Sequence, residues 1–411
     1  MLDELYSLSQ TFLHLRNRSF HRYFLQETPL TNRFSIIVGQ RGIGKTTAMT
    51  QYLLEQANGD RFSHQILYLQ ADHFLLSRTS LYDIADEFYG LGGKLICFDE
   101  IHKYPDWSLE LKSIFDTFPD LRMLASGSSA LEIAKGSHDL SRRALLYRMH
   151  GLSFREYLGM YCDIHFDKVS LDEILANHQR IADTVVATLA GHDRKVLALF
   201  KEYLATGYYP YFKEFNDSGQ FYLTIEQNVH TTLESDLPAI HQNLNGVSVR
   251  KIERLLAIVS SLVPYTPDMK HLKNMLDIGD ERTLKNYLKL LEDAGILRTV
   301  SKSGKGLRTL EKPEKIYLNN PTLYYALAGG AAPDSGAVRE TFFLAMVSVA
   351  HQVRVPVKGD FLVNDSVTFD VGGKNKDSSQ IQGLENAWLA LDSVEIGSGS
   401  RIPLWLFGFL Y

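Results

Sequence analysis

The residues with the clearest chemical potential form a glycine-rich loop that ends in a lysine and a threonine. The segment Gly39-Gln-Arg-Gly-Ile-Gly-Lys-Thr46 fits the pattern G-x-x-x-x-G-K-[ST]. A short apolar run, Phe34–Val38, precedes it and predicts a buried strand, and the residues after it predict a helix. Glycines let the backbone curl close to phosphate groups, which then face the loop N–H groups and the helix N-terminus. The sequence therefore predicts a phosphate-binding loop.

The polar residues of this loop have distinct expected roles. Lys45 is expected to reach the β- and γ-phosphates of a nucleotide, and the hydroxyl of Thr46 to bind Mg²⁺. The other residues of the loop and helix start that are expected to contact the nucleotide are Gly39, Gly42, Gly44 and Thr47. The alternative is a glycine-rich turn with an incidental lysine.

Two acidic residues follow a second apolar run. Leu95-Ile-Cys-Phe98 is followed by Asp99 and Glu100, which is the arrangement called Walker B. Ligands bind outside the carboxyl ends of parallel strands. We therefore expect Asp99 to hold the same Mg²⁺ as Thr46, and Glu100 to orient or deprotonate the attacking water. The alternative is a pair of acids that caps the next helix.

A third predicted strand, Leu121–Ser126, ends in a Ser/Gly cluster. Ser126 or Ser128 could lie between the two acids and position water, so Ser128 is a candidate residue for contact with the nucleotide. The alternative is a turn that caps the next helix.

Composition limits the other functions of the chain. With 411 residues and 45% hydrophobic residues, two or three domains with proper cores are expected. The formal net charge of −5 gives no global attraction to nucleic acid or to anionic membranes, so any nucleic-acid contact must come from a local patch.

Two cysteines do not suggest a disulfide framework, and a reducing cytosol fits best. The expected localisation is cytoplasmic, without membrane association, because no signal-peptide pattern is present and the apolar runs are too short to cross a bilayer. The 14 histidines show no spacing typical of metal ligands, so no zinc site is expected.

Strand and helix patterns alternate from residue 34 to about residue 130, which predicts a parallel sheet with helices on both faces. The expected strands are Phe34–Val38, Gln65–Leu69, Lys94–Phe98 and Leu121–Ser126, with a further one at Ala144–Met149. The expected helices are Lys45–Gln56, Ser80–Tyr89 and Trp107–Phe118.

A helical pattern covers residues 170 to 245, with a break at Gly207–Pro210. Residues 248–318 predict three helices and a hairpin with a turn at Gly304–Gly306, an order that resembles a winged helix. After residue 321 we expect a helix at Ala337–Ala350 and several short strands, the last at Leu404–Tyr411. The expected domains are thus 1–165, 166–320 and 321–411.

Several motifs together resemble a known group of proteins. They are G-Q-R-G-I-G-K-T-T at 39–47, D-E-I-H-K-Y-P-D-W at 99–107, S-G-S-S at 126–129, L-S-R-R-A at 140–144 and L-S-F-R-E-Y-L at 152–158. The chain is similar, over nearly its whole length, to prokaryotic AAA-superfamily ATPases with a C-terminal domain of unknown function that has a restriction-endonuclease-like core.

This resemblance implies an α/β fold. A P-loop NTPase parallel sheet of the AAA type would be followed by a helical and winged-helix region and an α+β endonuclease-like C-terminal domain. The resemblance also implies ATP as the nucleotide, with Mg²⁺.

The family places a phosphate-sensing arginine in an L-x-G-R segment. The matching residue is Arg143, with Arg142 where the family has glycine. Arg143 either stabilises charge at the γ-phosphate in the transition state or forms a surface pair with nearby carboxylates. Whether it would act in cis or across an oligomer interface is open.

Three acids near the C-terminus follow the order found in endonuclease-like folds: Glu340, Asp360 and Asp370. Three carboxylates around Mg²⁺ with a lysine suit phosphodiester hydrolysis. The usual spacing is acid-x-Lys, but Gly372 holds the lysine position and Lys374 lies two residues later. We therefore expect a structural or binding remnant rather than an active nuclease.

The hairpin region has local positive charge. Residues 296–315 contain six basic residues against two acids, and the basic ones are Arg298, Lys302, Lys305, Arg308, Lys312 and Lys315. Such a patch can grip phosphates, although winged helices also pack against protein.

The sequence thus predicts an ATP-binding and ATP-hydrolysing protein that couples nucleotide state to residues 248–411, which would bind DNA or a protein partner; an oligomer is also compatible with the sequence. The alternatives are a slow nucleotide-dependent switch or DNA-binding regulator, and an ATP-regulated nuclease.

Overall fold

The computed structural model describes residues 1–127, 140–241, 244–262, 264–302, 313–329 and 332–411. The chain forms two compact units, Met1–Gly151 and Leu152–Tyr411. The three-domain division with boundaries at residues 165 and 320 stays a prediction. No helix among the residues that the structure describes is both long and apolar enough to cross a membrane.

The first unit contains a five-stranded sheet. Its strands are β1 (Phe34–Val38), β2 (Ile66–Gln70), β3 (Leu95–Asp99), β4 (Arg122–Gly127) and β5 (Leu145–Arg148). They lie in the order β2-β3-β4-β1-β5, and every neighbouring pair is parallel. This confirms the predicted parallel sheet.

Helices cover this sheet on both faces. They are α1 (Leu2–Arg16), α2 (Tyr23–Glu27), α3 (Lys45–Gln56), α4 (Leu81–Gly90) and α5 (Trp107–Thr117), with short 3-10 helices at Phe74–Arg78 and Ile101–Lys103. Ile36 and Ile37 point to opposite faces of β1, and both are fully buried. A strand buried on both faces explains the unbroken apolar run that predicts it.

The second unit is mainly helical up to residue 347. Its helices span Phe154–Cys162, Leu171–Gly191, Val196–Glu202, Ser218–Thr231, Leu237–Ile240, Gly246–Leu262, Met269–Met275, Glu281–Asp293, Pro321–Leu327 and Ser335–Val347. The predicted break near Gly207–Pro210 is confirmed: a π-helical turn at Tyr203–Gly207 is followed by a 3-10 helix at Pro210–Glu214. A second π-helical turn covers Thr232–Asp236.

A small antiparallel ladder follows the third helix of the predicted helix-helix-helix-hairpin order. It pairs β6 (Leu297–Val300) with β7 (Lys315–Leu318), and Tyr265 adds an isolated bridge to Ile316. The helix Glu281–Asp293 buries the predicted stripe of Leu284, Tyr287, Leu288 and Leu291. The expected turn at 304–306 lies outside the described residues.

A second five-stranded sheet lies near the C-terminus. Its strands are β8 (Val353–Arg354), β9 (Phe361–Val363), β10 (Val367–Gly373), β11 (Ala387–Asp392) and β12 (Arg401–Pro403). They lie in the order β12-β11-β10-β9-β8, with β10, β11 and β12 parallel and the other pairs antiparallel.

One expected strand of this region is wrong. Residues Leu404–Phe409 form a 3-10 helix, in which all six residues are buried, and the strand β12 precedes it. A short, continuous apolar run shows no period, so its pattern cannot distinguish a buried strand from a buried helical turn.

Candidate functional sites

The glycine-rich loop connects β1 to α3, which begins at Lys45. Gly44 caps the helix with φ of 97°, in the left-handed region that favours glycine. A Cβ on Gly39 would collide with the carbonyl oxygen of Met149, the residue after β5. Glycine at both positions therefore lets the loop turn tightly at the edge of the sheet, ahead of the helix N-terminus.

The Lys45 side chain is buried within this loop. Its Nζ donates hydrogen bonds to the carbonyl oxygens of Gly39 and Gln40, each at 2.9 Å. The ammonium group is therefore held against the backbone that the sequence predicts to surround phosphate.

Arg22 also supports the loop, and the sequence reasoning missed it. The side chain is 5% exposed. Its guanidinium donates to the carbonyl oxygens of Ile43, of His150 at 2.8 Å and of Gly151 at 3.2 Å. Arg22 thus ties the loop to the segment after β5. A single arginine upstream of a strand carries no motif that could have revealed this role.

The structure brings together the two residues that the sequence assigned to one Mg²⁺. Thr46 Oγ1 donates a hydrogen bond of 2.6 Å to Asp99 Oδ2. Asp99 is buried at the carboxyl end of β3. Hydroxyl and carboxylate oxygens are the hard ligands that Mg²⁺ prefers, so this pair fits the ion.

Two further side chains contact the Asp99 carboxylate. Tyr68 on β2 donates its hydroxyl to Oδ2 at 2.6 Å, and Ser126 on β4 donates to Oδ1. Burial raises the pKa of Tyr68, and the charge of Asp99 raises it further, so the phenol stays a proton donor. The sequence reasoning missed Tyr68, because its contact depends on which strand lies beside β3.

Glu100 follows Asp99 with a strained backbone. Its φ of 52° and ψ of 40° are uncommon for a residue with a side chain. The Glu100 N–H lies 3.2 Å from both Asp99 Oδ1 and Ser126 Oγ. Among the two candidate serines, Ser126 therefore contacts both acids, and Ser128 lies outside the described residues.

His102 is a further neighbour of Glu100 that the sequence did not single out. Its Nε2 lies 3.5 Å from Glu100 Oε2, and the imidazole is almost fully buried. The side chain of Glu100 is thus held beside the carboxyl edge of the sheet. Strained backbone concentrates at functional sites, where the surrounding structure must hold it in place.

Arg143 pairs with a carboxylate. Its Nε lies 2.8 Å from Asp116 Oδ1 and its Nη2 lies 2.7 Å from Asp116 Oδ2, a two-pronged contact with α5. The hydrogen bond from Arg143 lowers the pKa of Asp116. This pairing is the alternative that the sequence left open, and a role of Arg143 at a γ-phosphate stays a prediction. Arg142 is exposed.

The second unit has its own cluster of charges, and it contains the three acids that the sequence predicts. Lys376 Nζ lies 2.6 Å from Asp370 Oδ1 and 3.5 Å from Asp360 Oδ2. Lys315 Nζ lies 3.3 Å from Glu340 Oε2 and 3.4 Å from Asp360 Oδ1. Two lysines therefore alternate with three carboxylates.

Lys376, and not Lys374, is the lysine that pairs with Asp370 in this cluster. Lys374 is exposed. A Cβ on Gly372 would collide with the side chain of Lys376, which crosses the space above that glycine. The acid-x-Lys spacing would place a lysine at position 372. The side chain of Lys376, four residues after Gly372, occupies that space instead.

The pKa values of the three acids shift in different directions, because burial raises each of them and the opposing contacts differ. Burial raises the pKa of Asp370 to about 6, against the opposing hydrogen bond from Lys376. Burial and the charge of Asp360 also raise the pKa of Glu340. Burial raises the pKa of Asp360 as well, but Lys315 and the N–H of Val371 outweigh it and hold that pKa below its ordinary value.

As a divalent metal site this cluster fits poorly. Glu340, Asp360 and Asp370 do not form a group in which one ligand atom of each residue lies within 4.8 Å of the others. Among the described residues, such a group of three His, Cys, Asp or Glu residues occurs elsewhere in the unit. The ammonium groups of Lys315 and Lys376 lie between the carboxylates and offset two of their three negative charges. In this arrangement the three acids form an internal ion-pair network.

Two family models match parts of the chain. Residues 31–158 match one described as "AAA domain", and residues 197–334 match one described as "Domain of unknown function (DUF8612)". The first match contains the loop, Asp99, Glu100 and Ser126. Together with the five-stranded parallel sheet, it supports an AAA-type P-loop NTPase. The second match does not define a winged helix or an endonuclease-like domain, and both stay predictions.

The chain is similar to "Uncharacterized protein MJ1637" of Methanocaldococcus jannaschii. The two are 27% identical over 292 residues, which are 68% of this chain and 59% of that protein. The chain therefore spans about three fifths of that relative's length.

Solved structures show a weaker likeness. The Walker-type ATPase PABY2304 of Pyrococcus abyssi is 11% identical, with 77% of this chain and 99% of that chain covered and a TM-score of 0.40. AMPPCP-bound DnaA from Aquifex aeolicus is 14% identical, with coverage of 66% and 85% and a TM-score of 0.26.

Proposed function

We propose that this protein binds ATP together with Mg²⁺ and hydrolyses it. The contact between Thr46 Oγ1 and Asp99 Oδ2, at 2.6 Å, is the observation that carries the proposal. It joins two motifs that lie 53 residues apart in the sequence, at the sheet edge where parallel α/β folds bind ligands.

Each residue of this site has a task in the proposed reaction. The N–H groups of the loop and the Lys45 ammonium bind the phosphates, and Thr46 and Asp99 would hold Mg²⁺. The ion supplies positive charge to neutralise the phosphate oxygens. Glu100 orients the attacking water and accepts its proton. Ser126 positions the turn that presents Glu100, because it contacts the Glu100 N–H and the Asp99 carboxylate.

Phosphate release and nucleotide binding test this proposal together. We expect Lys45→Ala to lose both binding and turnover, and Glu100→Gln to retain binding but lose turnover. Matched controls are Lys94→Ala and Glu87→Gln, which make the same changes at exposed positions of the same unit. If neither site variant lowers turnover, the assigned site is wrong. Binding that depends on Lys45 without turnover in the wild type would favour the nucleotide-dependent switch.

We also propose that nucleotide state is coupled to residues 248–411, which bind DNA or a protein partner. Several basic groups of this region have internal partners. Lys285 pairs with Glu281 at 3.0 Å, and Lys289 pairs with Asp293 at 2.8 Å. These pairs reduce the charge available for phosphates.

Two basic residues of the hairpin region are also engaged within the unit. Arg298 donates to the carbonyl oxygen of Asn319 and to Ser348 Oγ, and Lys315 contacts Glu340 and Asp360. A salt titration of duplex-DNA binding tests the DNA role, since phosphate contacts make affinity fall steeply with salt. If the protein does not bind duplex DNA even at low salt, the DNA role is excluded and a protein partner is the proposal that remains.

A second candidate function is hydrolysis of phosphodiesters at the acid cluster. The convergence of Glu340, Asp360 and Asp370 with Lys376 favours it, whereas the pairing of these acids with lysines favours a structural role. Incubation of plasmid with Mg²⁺ or Mn²⁺ and ATP distinguishes the two. Cleavage that Asp360→Ala abolishes would support a nuclease. If no cleavage occurs under any of these conditions, the three acids have only the structural role of an ion-pair network.

A further inference from the structure

We propose that His230, Glu234 and Glu253 form a binding site for a divalent transition-metal ion in the second unit. His230 Nδ1 lies 3.9 Å from Glu234 Oε1 and 3.9 Å from Glu253 Oε1. One ligand atom from each of the three residues lies within 4.8 Å of the other two, which holds for no other group of three His, Cys, Asp or Glu residues in the described part of the chain.

Two helical segments supply these ligands. His230 lies near the end of the helix Ser218–Thr231, and Glu234 lies in the π-helical turn Thr232–Asp236 that continues it. The spacing of four residues places the two side chains on one face. Glu253 comes from the helix Gly246–Leu262. A bound ion would therefore join these two helical segments.

A fourth carboxylate lies beside the other ring nitrogen. Glu226 Oε1 is 4.0 Å from His230 Nε2, one turn earlier on the same helix. Metal-binding histidines commonly donate their second ring N–H to a carboxylate, which fixes the ring orientation. Glu226 is placed to do this while Nδ1 faces Glu234 and Glu253.

The distances suit closure around an ion. Ligand atoms about 2.1 Å from a tetrahedral metal lie roughly 3.4 Å apart, so each pair has to approach by less than 2 Å. The side chains of His230 and Glu234 are 51% and 62% exposed, and Glu253 is 27% exposed. They can rotate toward one another without disturbing the core.

Charge around the site also favours a cation. Glu226, His230 and Glu253 lie at a cavity of about 550 Å³, which Asp334 also lines. The described lining of this cavity contains no lysine or arginine. Carboxylates converging at a concave surface create a negative potential that concentrates cations.

The donor set selects the class of metal. One imidazole nitrogen with two carboxylates suits Zn²⁺, Ni²⁺ and related ions, whereas Mg²⁺ and Ca²⁺ prefer oxygen ligands alone. The site would thus be distinct in chemistry from the Thr46–Asp99 pair of the first unit.

Competition between the full-length protein and a chromophoric chelator for Zn²⁺, without nucleotide, tests the proposal. We expect His230→Ala to bind one equivalent less than the wild type. Glu253→Gln should weaken the affinity of that equivalent by at least about tenfold. The matched control is His165→Ala, which removes an exposed histidine that lies 3.3 Å from the carboxylate of Asp163.

Thermal unfolding gives an independent readout. An ion that binds only the folded chain raises the unfolding temperature, so Zn²⁺ should raise it for the wild type and His165→Ala and much less for His230→Ala. Circular dichroism checks that the variants are folded. Equal Zn²⁺ stoichiometry and affinity in the wild type, His230→Ala and Glu253→Gln would overturn the proposal.

Discussion

The side chain of Lys376 lies over Gly372 and pairs with Asp370, the residue that precedes the glycine by two positions. A side chain at position 372 would displace the lysine and leave the fully buried Asp370 carboxylate without its counter-ion. The absence of a side chain at Gly372 is therefore what allows a distant lysine to neutralise this acid.

Removal of that counter-ion should destabilise the second unit. We expect Lys376→Met to cost about 3 kcal/mol, the low end of the range for a broken buried pair, because the lysine is 22% exposed. Gly372→Ala should have an effect in the same direction, since it expels the same side chain. Urea unfolding measures both. Lys374→Met, at an exposed position two residues earlier, should leave the unfolding midpoint nearly unchanged, and an equal loss there would refute the pairing.

The stability of the second unit should depend on Asp370 in mildly acidic solution. The pKa of about 6 in the folded state exceeds the ordinary value of 3.8, so folding takes up a proton between these values. The contribution of Asp370 is fully present below about pH 4 and is lost as the pH rises through about 6. The pKa of Asp360 is lowered, so its contribution to the unfolding free energy has the opposite pH dependence and is lost as the pH falls.

Asp370→Asn isolates this contribution. Relative to the wild type, the variant should show a smaller decline of unfolding free energy from pH 4 to pH 6, measured by urea titration at several pH values. Glu395→Gln, at an exposed position of the same unit, is the control. Identical pH profiles for the wild type and Asp370→Asn would contradict the raised pKa.

The hydroxyl of Tyr68 should position Asp99 in the first unit. Tyr68→Phe removes a buried hydrogen bond to a carboxylate, a loss of about 1.5–3 kcal/mol in unfolding free energy. We also expect a higher Mg²⁺ concentration for half-maximal ATP turnover, because Asp99 loses a fixed donor. Tyr89→Phe makes the same change at a half-buried tyrosine whose hydroxyl makes an exposed contact with Asp120 at 3.4 Å. If both variants retain wild-type stability and Mg²⁺ dependence, the hydroxyl has no positioning role.

Arg143 and Asp116 offer a test of the two roles left open for this arginine. If Arg143 acts at the γ-phosphate, Arg143→Ala should lower turnover by about a thousandfold or more, while Asp116→Asn should maintain or increase it by weakening the contact that holds the guanidinium at α5. If the pair is only a surface contact, neither change should alter turnover. Steady-state phosphate release decides between these outcomes, and Arg142→Ala shows whether the neighbouring arginine substitutes.

The sequence by itself determined the elements around the glycine-rich loop. The bounds predicted for β1 and α3 agree with the structure at both ends, and the other predicted strands of the first sheet agree within about one residue. These signals are local: a fully apolar strand, glycines with special backbone needs and a helix of regular period. The three C-terminal acids could also be named, because together they follow the order of acids along the chain in endonuclease-like folds.

Contacts between distant residues were decided only by the tertiary structure. The insertion of β4 between β1 and β3 places Ser126 against Asp99, and the pairing of β2 with β3 brings Tyr68 to the same carboxylate. Strand order and register depend on how the whole sheet packs, which no local pattern encodes. For the same reason the packing of two helical segments, and not the spacing of histidines along the sequence, brings Glu253 to His230. The fold around Gly372 likewise decides that Lys376, and not Lys374, pairs with Asp370.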